Sequence, residues 1–430
     1  MINRKPAAPT PPMGWNSWDC YGAAVDEAAL LGNAAYIAAH LKDYGWEYVV
    51  CDIQWYEPTA IDTCYNNFAP LCMDAYARLI PAENRFPSAA GGKGFAVIAE
   101  KIHAMGLKFG IHIMRGNPRQ AVHSGAVTKS GVPARQLALQ YSLCPWNTDM
   151  YGVDHRQPGA QEYYDSLFEL YAAWGVDFVK VDDICNTEYN RENPYAAEKE
   201  IEMIRKAIDG CGREMVLSLS PGPADIRHAW HLAAHADMWR LTGDFWDERQ
   251  KLIDMFRRCE LWYAHVGDGH WPDCDMLPLG RLCVSDRNTH GRQCRLTEDE
   301  QITMMNLWCI FRSPLILGAE LRENDAFTLS LLINRDVLAV NQTSSKNRPV
   351  ISTDKEAVWQ CEMPDGAAVV ALFNLTETKR TVSVTLRELG LDGKYTLFDL
   401  WKQKAIGEAE TAISAELNPT ASVMYRLIAR

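Results

Sequence analysis

Three side chains at the end of one apolar run have types and spacing that could do chemistry. The stretch from Trp174 to Cys185 passes through Val176, Phe178, Val179 and Val181, then stops in charge at Lys180, Asp182 and Asp183. In an extended strand Lys180 and Asp182 point to one face. A cation there would hold Asp182 ionised, as a carboxylate nucleophile requires. Other runs end alike. Tyr48 to Cys51 leads to Asp52, Leu107 to Ile111 leads to His112, and Met215 to Leu219 leads to Ser220. Arg240 and Asp244 lie four apart at a further candidate strand end. Carboxylates gathered from several strand ends suit a two-carboxylate reaction. One attacks carbon; the second, kept protonated, donates to a leaving oxygen.

Regular elements must bring these groups together. Trp174-Gly175 and Tyr44-Gly45 read as helix ends, with Gly in the left-handed cap, and each is followed by a short apolar strand. Strands alternating with helical patterns imply βαβ units and a parallel sheet. Polar residues at the strand ends point to a (β/α)8 barrel, whose sites are assembled there. The eight strands are expected near residues 8–18, 44–52, 105–112, 176–181, 215–220, 237–241, 270–276 and 313–317. The first helix is expected over 25–44 and the last over 303–312. Two long irregular stretches, 54–94 and 117–152, carry Trp55, Tyr56, Tyr65, Phe68, Tyr76, Trp146 and Tyr151. Such loops are usually functional and would wall the site.

The composition shifts near Lys346. Alternating runs such as 368–373 and 381–386, bounded by Pro364-Asp365-Gly366 and Asp392-Gly393, read as antiparallel strands. The expected division is a barrel over 1–345 and a small antiparallel β-sandwich over 346–430.

A net charge of −12 argues against a nucleic-acid partner and fits a neutral small-molecule substrate. Residues 1–6 are followed by no apolar segment of the signal-peptide kind, and no window reaches the roughly 18 apolar residues of a membrane span. A cytoplasmic protein without a membrane partner is therefore expected. The 13 cysteines are scattered, with no CxxC, and are expected to be mostly free thiols. The loops and their aromatics would suit a homo-oligomer.

The motifs resemble one family, in order and over nearly the whole chain. Pro-Pro-Met-Gly-Trp-Asn-Ser-Trp (11–18), Lys-Phe-Gly-Ile-His (108–112), Lys-Val-Asp (180–182), Trp-Arg-Leu-Thr-Gly-Asp (239–244) and Asp-Cys-Asp-Met-Leu (273–277) are similar to glycoside hydrolase family 27, the retaining α-galactosidases. The resemblance implies Asp182 as nucleophile and Asp244 as general acid/base. It implies that Asp52, Lys180, Arg240 and Asp275 bind sugar hydroxyls and that Trp18 packs on the sugar's apolar face. His112 stands where many relatives carry Tyr. Acid, base and nucleophile are all side chains, so no metal or other cofactor is expected.

Departures from the family pattern bear on the sugar. The second strand usually ends in Asp-Asp, whereas here Asp52 is followed by Ile53. Ile cannot accept a hydrogen bond from the C4 and C6 end of galactose. L-Arabinopyranose has the same ring configuration without the hydroxymethyl group. The expected activity is therefore hydrolysis of terminal β-L-arabinopyranosides, as in the β-L-arabinopyranosidases of the family, with α-galactosidase as the alternative. Ser220 stands about where galactosidases carry Glu near the 2-hydroxyl, which keeps N-acetylgalactosamine open. The family's site disulfide has no evident counterpart. A sugar-binding protein without activity would lack a catalytic carboxylate. A metal-dependent hydrolase would need paired spacing that His103, His112, His265 and His270 do not have.

Overall fold

The computed structural model describes residues 7–185, 195, 197–267 and 269–430. Residues 1–6, read above for the compartment, lie outside this set. Eight short strands form one parallel sheet: β1 Met13–Asn16, β2 Tyr48–Cys51, β3 Lys108–Met114, β4 Phe178–Asp182, β5 Val216–Ser220, β6 Met238–Arg240, β7 Trp271–Asp273 and β8 Leu315–Leu317. Their order is β7-β6-β5-β4-β3-β2-β1-β8. A parallel bridge from Leu277, just past β7, to Leu317 in β8 links the ends of that order. A helix follows each strand, from Glu27–Tyr36 after β1 to Arg335–Thr343 after β8. This is the expected (β/α)8 barrel.

Local chemistry explains the elements. β-Branched and aromatic residues fill the strands, which are buried on both faces. Gly175 ends helix Ala160–Ala173 at φ +80°, a conformation that costs a residue with a Cβ and costs Gly nothing. Thr297 and Glu300 form a reciprocal capping box that starts helix Glu298–Phe311, five residues before the expected start. The first helix is shorter than expected. It runs as Glu27–Tyr36 and continues as a π turn, Ile37–Leu41, and a 3-10 turn, Lys42–Tyr44.

Register aligns the polar strand ends. His112 pairs with Lys180, Asp182 with Ser220, and Arg240 with Asp273. β3 runs two residues beyond His112, to Met114. The stretch 117–152, expected to be irregular, contains a small antiparallel sheet of Asn117–Pro118, Met150–Val153 and Ala138–Leu143. Its strands are two to six residues long and bulged, too short for a period-2 pattern to stand out.

Beyond the barrel, six antiparallel strands between Ser345 and Ala429 form one sheet, faced by the pair Arg380–Thr385 and Ala412–Leu417. Alternation assigns its two faces. Val358, Val370 and Leu372 pack inward on Val382, Val384 and Ile413. Trp359, Ala371 and Phe373 point the other way and join the barrel core, with Phe373 edge-on to Phe256 and Trp359 edge-on to Phe311. No described helix is long and apolar enough to cross a membrane.

Candidate active site

The C-terminal ends of the strands open into a cavity of about 370 Å³. Trp18, Asp52, Lys180, Asp182, Ser220, Arg240, Asp244 and Asp275 line it. Ile53 and His112, also expected at the site, lie behind the wall with no exposed surface. His112 still touches the chemistry, because its Nε2 is 3.2 Å from Asp182 Oδ2. Ile53 touches it through the backbone: its N–H donates to Asp52 Oδ1 at 2.9 Å.

Asp182 ends β4 with both oxygens engaged. Oδ2 faces His112, and Oδ1 accepts the Asp183 N–H at 2.7 Å. Burial pushes this carboxyl up, but the His112 hydrogen bond and the charges of His112, Arg240 and Lys180 outweigh it and hold the group below the ordinary carboxylate range. Asp52 is held at about 2 in the same way. Burial opposes ionisation, and Lys180, His112 and the Asn16 amide overcome it. Lys180 donates to Asp52 Oδ2 at 3.0 Å, and Asn16 donates to the same atom at 2.7 Å. Burial pulls the Lys180 pKa down, but Asp52, Asp182 and Asp275 raise it above the usual lysine value, so the ammonium stays charged.

Asp244 stands at the cavity mouth, with 58% of its side chain exposed and a 2.9 Å hydrogen bond from Arg240. Its pKa moves the opposite way. Desolvation between the cavity walls, with Asp275 and Asp182 nearby, outweighs Arg240 and raises it. Arg240 also donates to the Pro221 carbonyl at 2.9 Å and lies 3.7 Å from Asp275. The Asp275 carboxylate accepts the Phe245 N–H at 2.7 Å. Asp273, at the end of β7, accepts the Asp275 N–H at 2.9 Å, and burial with the Asp275 charge lifts its pKa to about 7. One cavity thus holds two carboxyl groups shifted in opposite directions, Asp182 downward and Asp244 upward.

The long loops complete the walls, as expected of them, through residues not singled out as ligands. Tyr65 stacks on Trp18 at 5.2 Å and meets Trp146 at 5.4 Å. Burial, then the charges of Asp182, Asp52 and Asp244, keep the Tyr65 phenol protonated, so its hydroxyl can donate a hydrogen bond to a ligand. Asp19 also lines the cavity, its pKa raised mainly by burial. It occupies the place where a Cβ on Gly318 would lie, 2.1 Å from Asp19 Oδ2, so Gly318 is needed for this packing. Loop composition marked Tyr65 and Trp146 as ordered. Nothing in the motif around Asp19 set it apart.

All 13 cysteines lie among the described residues and are free. Glu198, Glu202 and His231 could converge on a metal ion, with ligand atoms within 4.8 Å of one another. Lys199 already neutralises them, at 2.7 Å from Glu202 and 3.5 Å from Glu198.

Known proteins are similar to this chain in sequence and fold. Residues 10–157 and 151–343 match the family described as alpha galactosidase A, and residues 353–427 match the alpha galactosidase C-terminal beta sandwich domain. The chain belongs to glycoside hydrolase family 27. A β-L-arabinopyranosidase of that family from Geobacillus stearothermophilus is 54% identical, with a TM-score of 0.96 over 98% of this chain and 97% of that one. A variant of that enzyme carries bound arabinose. A candidate α-N-acetylgalactosaminidase from Bacillus halodurans is 51% identical, with a TM-score of 0.89 over 100% and 99% of the two chains. The α-galactosidase of Cyamopsis tetragonoloba is 26% identical over 98% of this chain and 87% of its own length. The family 27 protein described here is a glycoside hydrolase.

Proposed function

We propose that this hydrolase removes terminal β-L-arabinopyranosyl groups by double displacement. Asp182 attacks the anomeric carbon while Asp244 protonates the departing oxygen. Asp244 then takes a proton from the water that releases the sugar from Asp182, so the anomeric configuration is retained. The observation that carries this reading is geometric: Asp182 and Asp244 line one cavity, Asp182 held by His112 and the Asp183 N–H and Asp244 held by Arg240 at the mouth. Lys180, Asp52, Arg240 and Asp275 bind the ring hydroxyls, and Trp18 with Tyr65 forms the apolar wall.

The choice of sugar rests on the neighbourhood of Asp52. Ile53 contributes an apolar side chain and no acceptor there, which suits a pentose lacking the hydroxymethyl group. The 54% identical relative named for that activity supports the same choice. Ser220, Pro221 and Gly222 also line the cavity, and the Ser220 hydroxyl has no partner among the described residues. That observation favours N-acetylgalactosamine as the second reading, since an acetamido group needs room there.

Hydrolysis of p-nitrophenyl β-L-arabinopyranoside, α-D-galactoside and α-N-acetylgalactosaminide tests the assignment, with the product anomer followed by NMR. Preference for the pentose and release of the β anomer are expected. Preference for either hexose overturns the sugar, and release of the α anomer from the β-arabinopyranoside overturns the double displacement. Thirteen free thiols accord with a cytoplasmic location for this activity.

A further inference from the structure

We propose that Arg115, which lies outside the cavity, is a positioning residue. It pins Asp183 in a left-handed backbone conformation so that the Asp183 N–H is aimed at the nucleophile. The assignment rests on Asp182 being that nucleophile.

Asp183 has φ +51°, a region that L residues with a Cβ seldom occupy without support. Arg115 supplies the support from two directions. Its Nε donates to the Asp183 carbonyl oxygen, and its Nη2 donates to Asp183 Oδ2 at 2.8 Å. The Arg115 main-chain N–H also donates to the Asp182 carbonyl, at 3.2 Å. Held in this way, Asp183 delivers its N–H to Asp182 Oδ1 at 2.7 Å. With His112 on Oδ2, the orientation of the attacking carboxylate is set from both sides.

The clamp is itself anchored. Arg115 Nη1 donates to Glu200 Oε1 at 3.0 Å and to Ser142 Oγ at 2.8 Å. Glu200 Oε2 accepts the Tyr164 hydroxyl at 2.5 Å and the Val153 N–H at 3.2 Å. The guanidinium is thus fixed between two buried carboxylates, and its side chain is 1% exposed. Gly152 leaves it space, since a Cβ there would lie 2.5 Å from Arg115 Nη1. A planar fork with several donors can hold a carbonyl and two carboxylates together, and an ammonium cannot reproduce that geometry.

Arg115→Lys keeps the buried charge and loses the fork. With p-nitrophenyl β-L-arabinopyranoside it is expected to lower kcat about tenfold or more, with KM within about threefold. The acid limb of its kcat/KM profile should move up by about half a pH unit or more, because Asp182 loses a donor to its charged form. A second variant, Arg115→Met combined with Asp183→Gly, removes one stranded carboxylate and installs a residue at ease with positive φ. It should recover part of the turnover lost in Arg115→Met alone. An unchanged kcat, a reduced kcat with the acid limb in place, or a double variant no better than the single one overturns the clamp. Asp182→Ala keeps the two readings apart. If it retains turnover, the nucleophile assignment falls; if it is inactive while Arg115→Lys behaves as wild type, only the clamp falls.

Discussion

Replacing Ile53 by Asp places a carboxylate at the end of β2, beside Asp52. Galactose differs from arabinopyranose at this end by one hydroxymethyl group. Ile53, buried behind the wall, supplies no acceptor at this end of the site, so the added hydroxyl gives up water without gaining a partner. That costs about 1–3 kcal/mol, or about 5- to 150-fold in kcat/KM. A carboxylate in the same place would accept a hydrogen bond worth about 1.5–3 kcal/mol if ionised and about 1 kcal/mol if protonated. Asp52, held ionised at about 2, pushes the new group toward the protonated form. The lower figures therefore apply. The galactoside-to-arabinoside ratio of kcat/KM should rise by about 2 kcal/mol, or about 30-fold. Ile53→Ala removes bulk without adding an acceptor and should move the ratio less. Loss of the buried Ile side chain destabilises the fold by about 2–5 kcal/mol, so near-ultraviolet circular dichroism should accompany the kinetics. A folded Ile53→Asp variant whose ratio stays within about threefold of wild type refutes the reasoning. The sugar would then be read by Tyr65 and Trp18 on the cavity surface, and Ile53 would serve only as packing.

Lys180→Met should lower kcat/KM by about 100-fold or more, because it strands the buried Asp52 carboxylate and removes a cation that helps keep Asp182 ionised. Steady-state kinetics across pH should show its acid limb moved upward. Asp273→Asn tests linkage. Burial and the Asp275 charge raise the Asp273 pKa from 3.8 to about 7, so the stability this carboxyl contributes is complete below pH 4 and fades as pH rises through about 7. The variant should gain stability over wild type at pH 8, by up to about 4 kcal/mol and read as a higher melting temperature, and gain little at pH 4; an equal difference at both refutes it. Trp308→Phe removes the indole N–H that donates to the Asp275 carbonyl at 3.0 Å, and a KM rise of about fivefold with kcat nearly unchanged is expected from substrate titrations.

The sequence carried the barrel because its strands punctuate themselves. Gly45 and Gly175 close helices, apolar runs follow, and Asp52 and Asp182 stand where each run stops. The same logic placed eight of the ten expected site residues on the cavity. Ile53 and His112 lie one layer behind it, because a motif fixes position along a strand and not which side of the wall a side chain occupies. Arg115 and Asp183 show a different limit. Asp183 was visible as a second carboxylate, but its positive φ and its bond to Asp182 depend on a guanidinium 68 residues earlier in the chain. Tyr65 and Trp146 come from loops whose paths no period describes. Their aromatic content said that the loops are ordered, and only packing could say that Tyr65 stacks on Trp18 and Trp146 meets Tyr65.

Helix Glu298–Phe311 explains how a β-sandwich that lends no side chain to the cavity can still shape it. On its outer side Thr303 donates to the Thr420 carbonyl at 2.7 Å and Asn306 to Ser422 at 2.8 Å, while the Trp401 indole donates to Asn306 at 2.8 Å. On its inner side Trp308 packs edge-on against Phe245 and holds the Asp275 carbonyl. Asp275 sits at φ +76°, receives the Phe245 N–H and faces Arg240, which in turn donates to Asp244. A strained residue keeps its conformation only where its surroundings over-determine it. The sandwich contributes by fixing the helix that carries Trp308. Its packing therefore reaches the proposed acid/base through backbone and guanidinium contacts, and its role at the site is that of a brace.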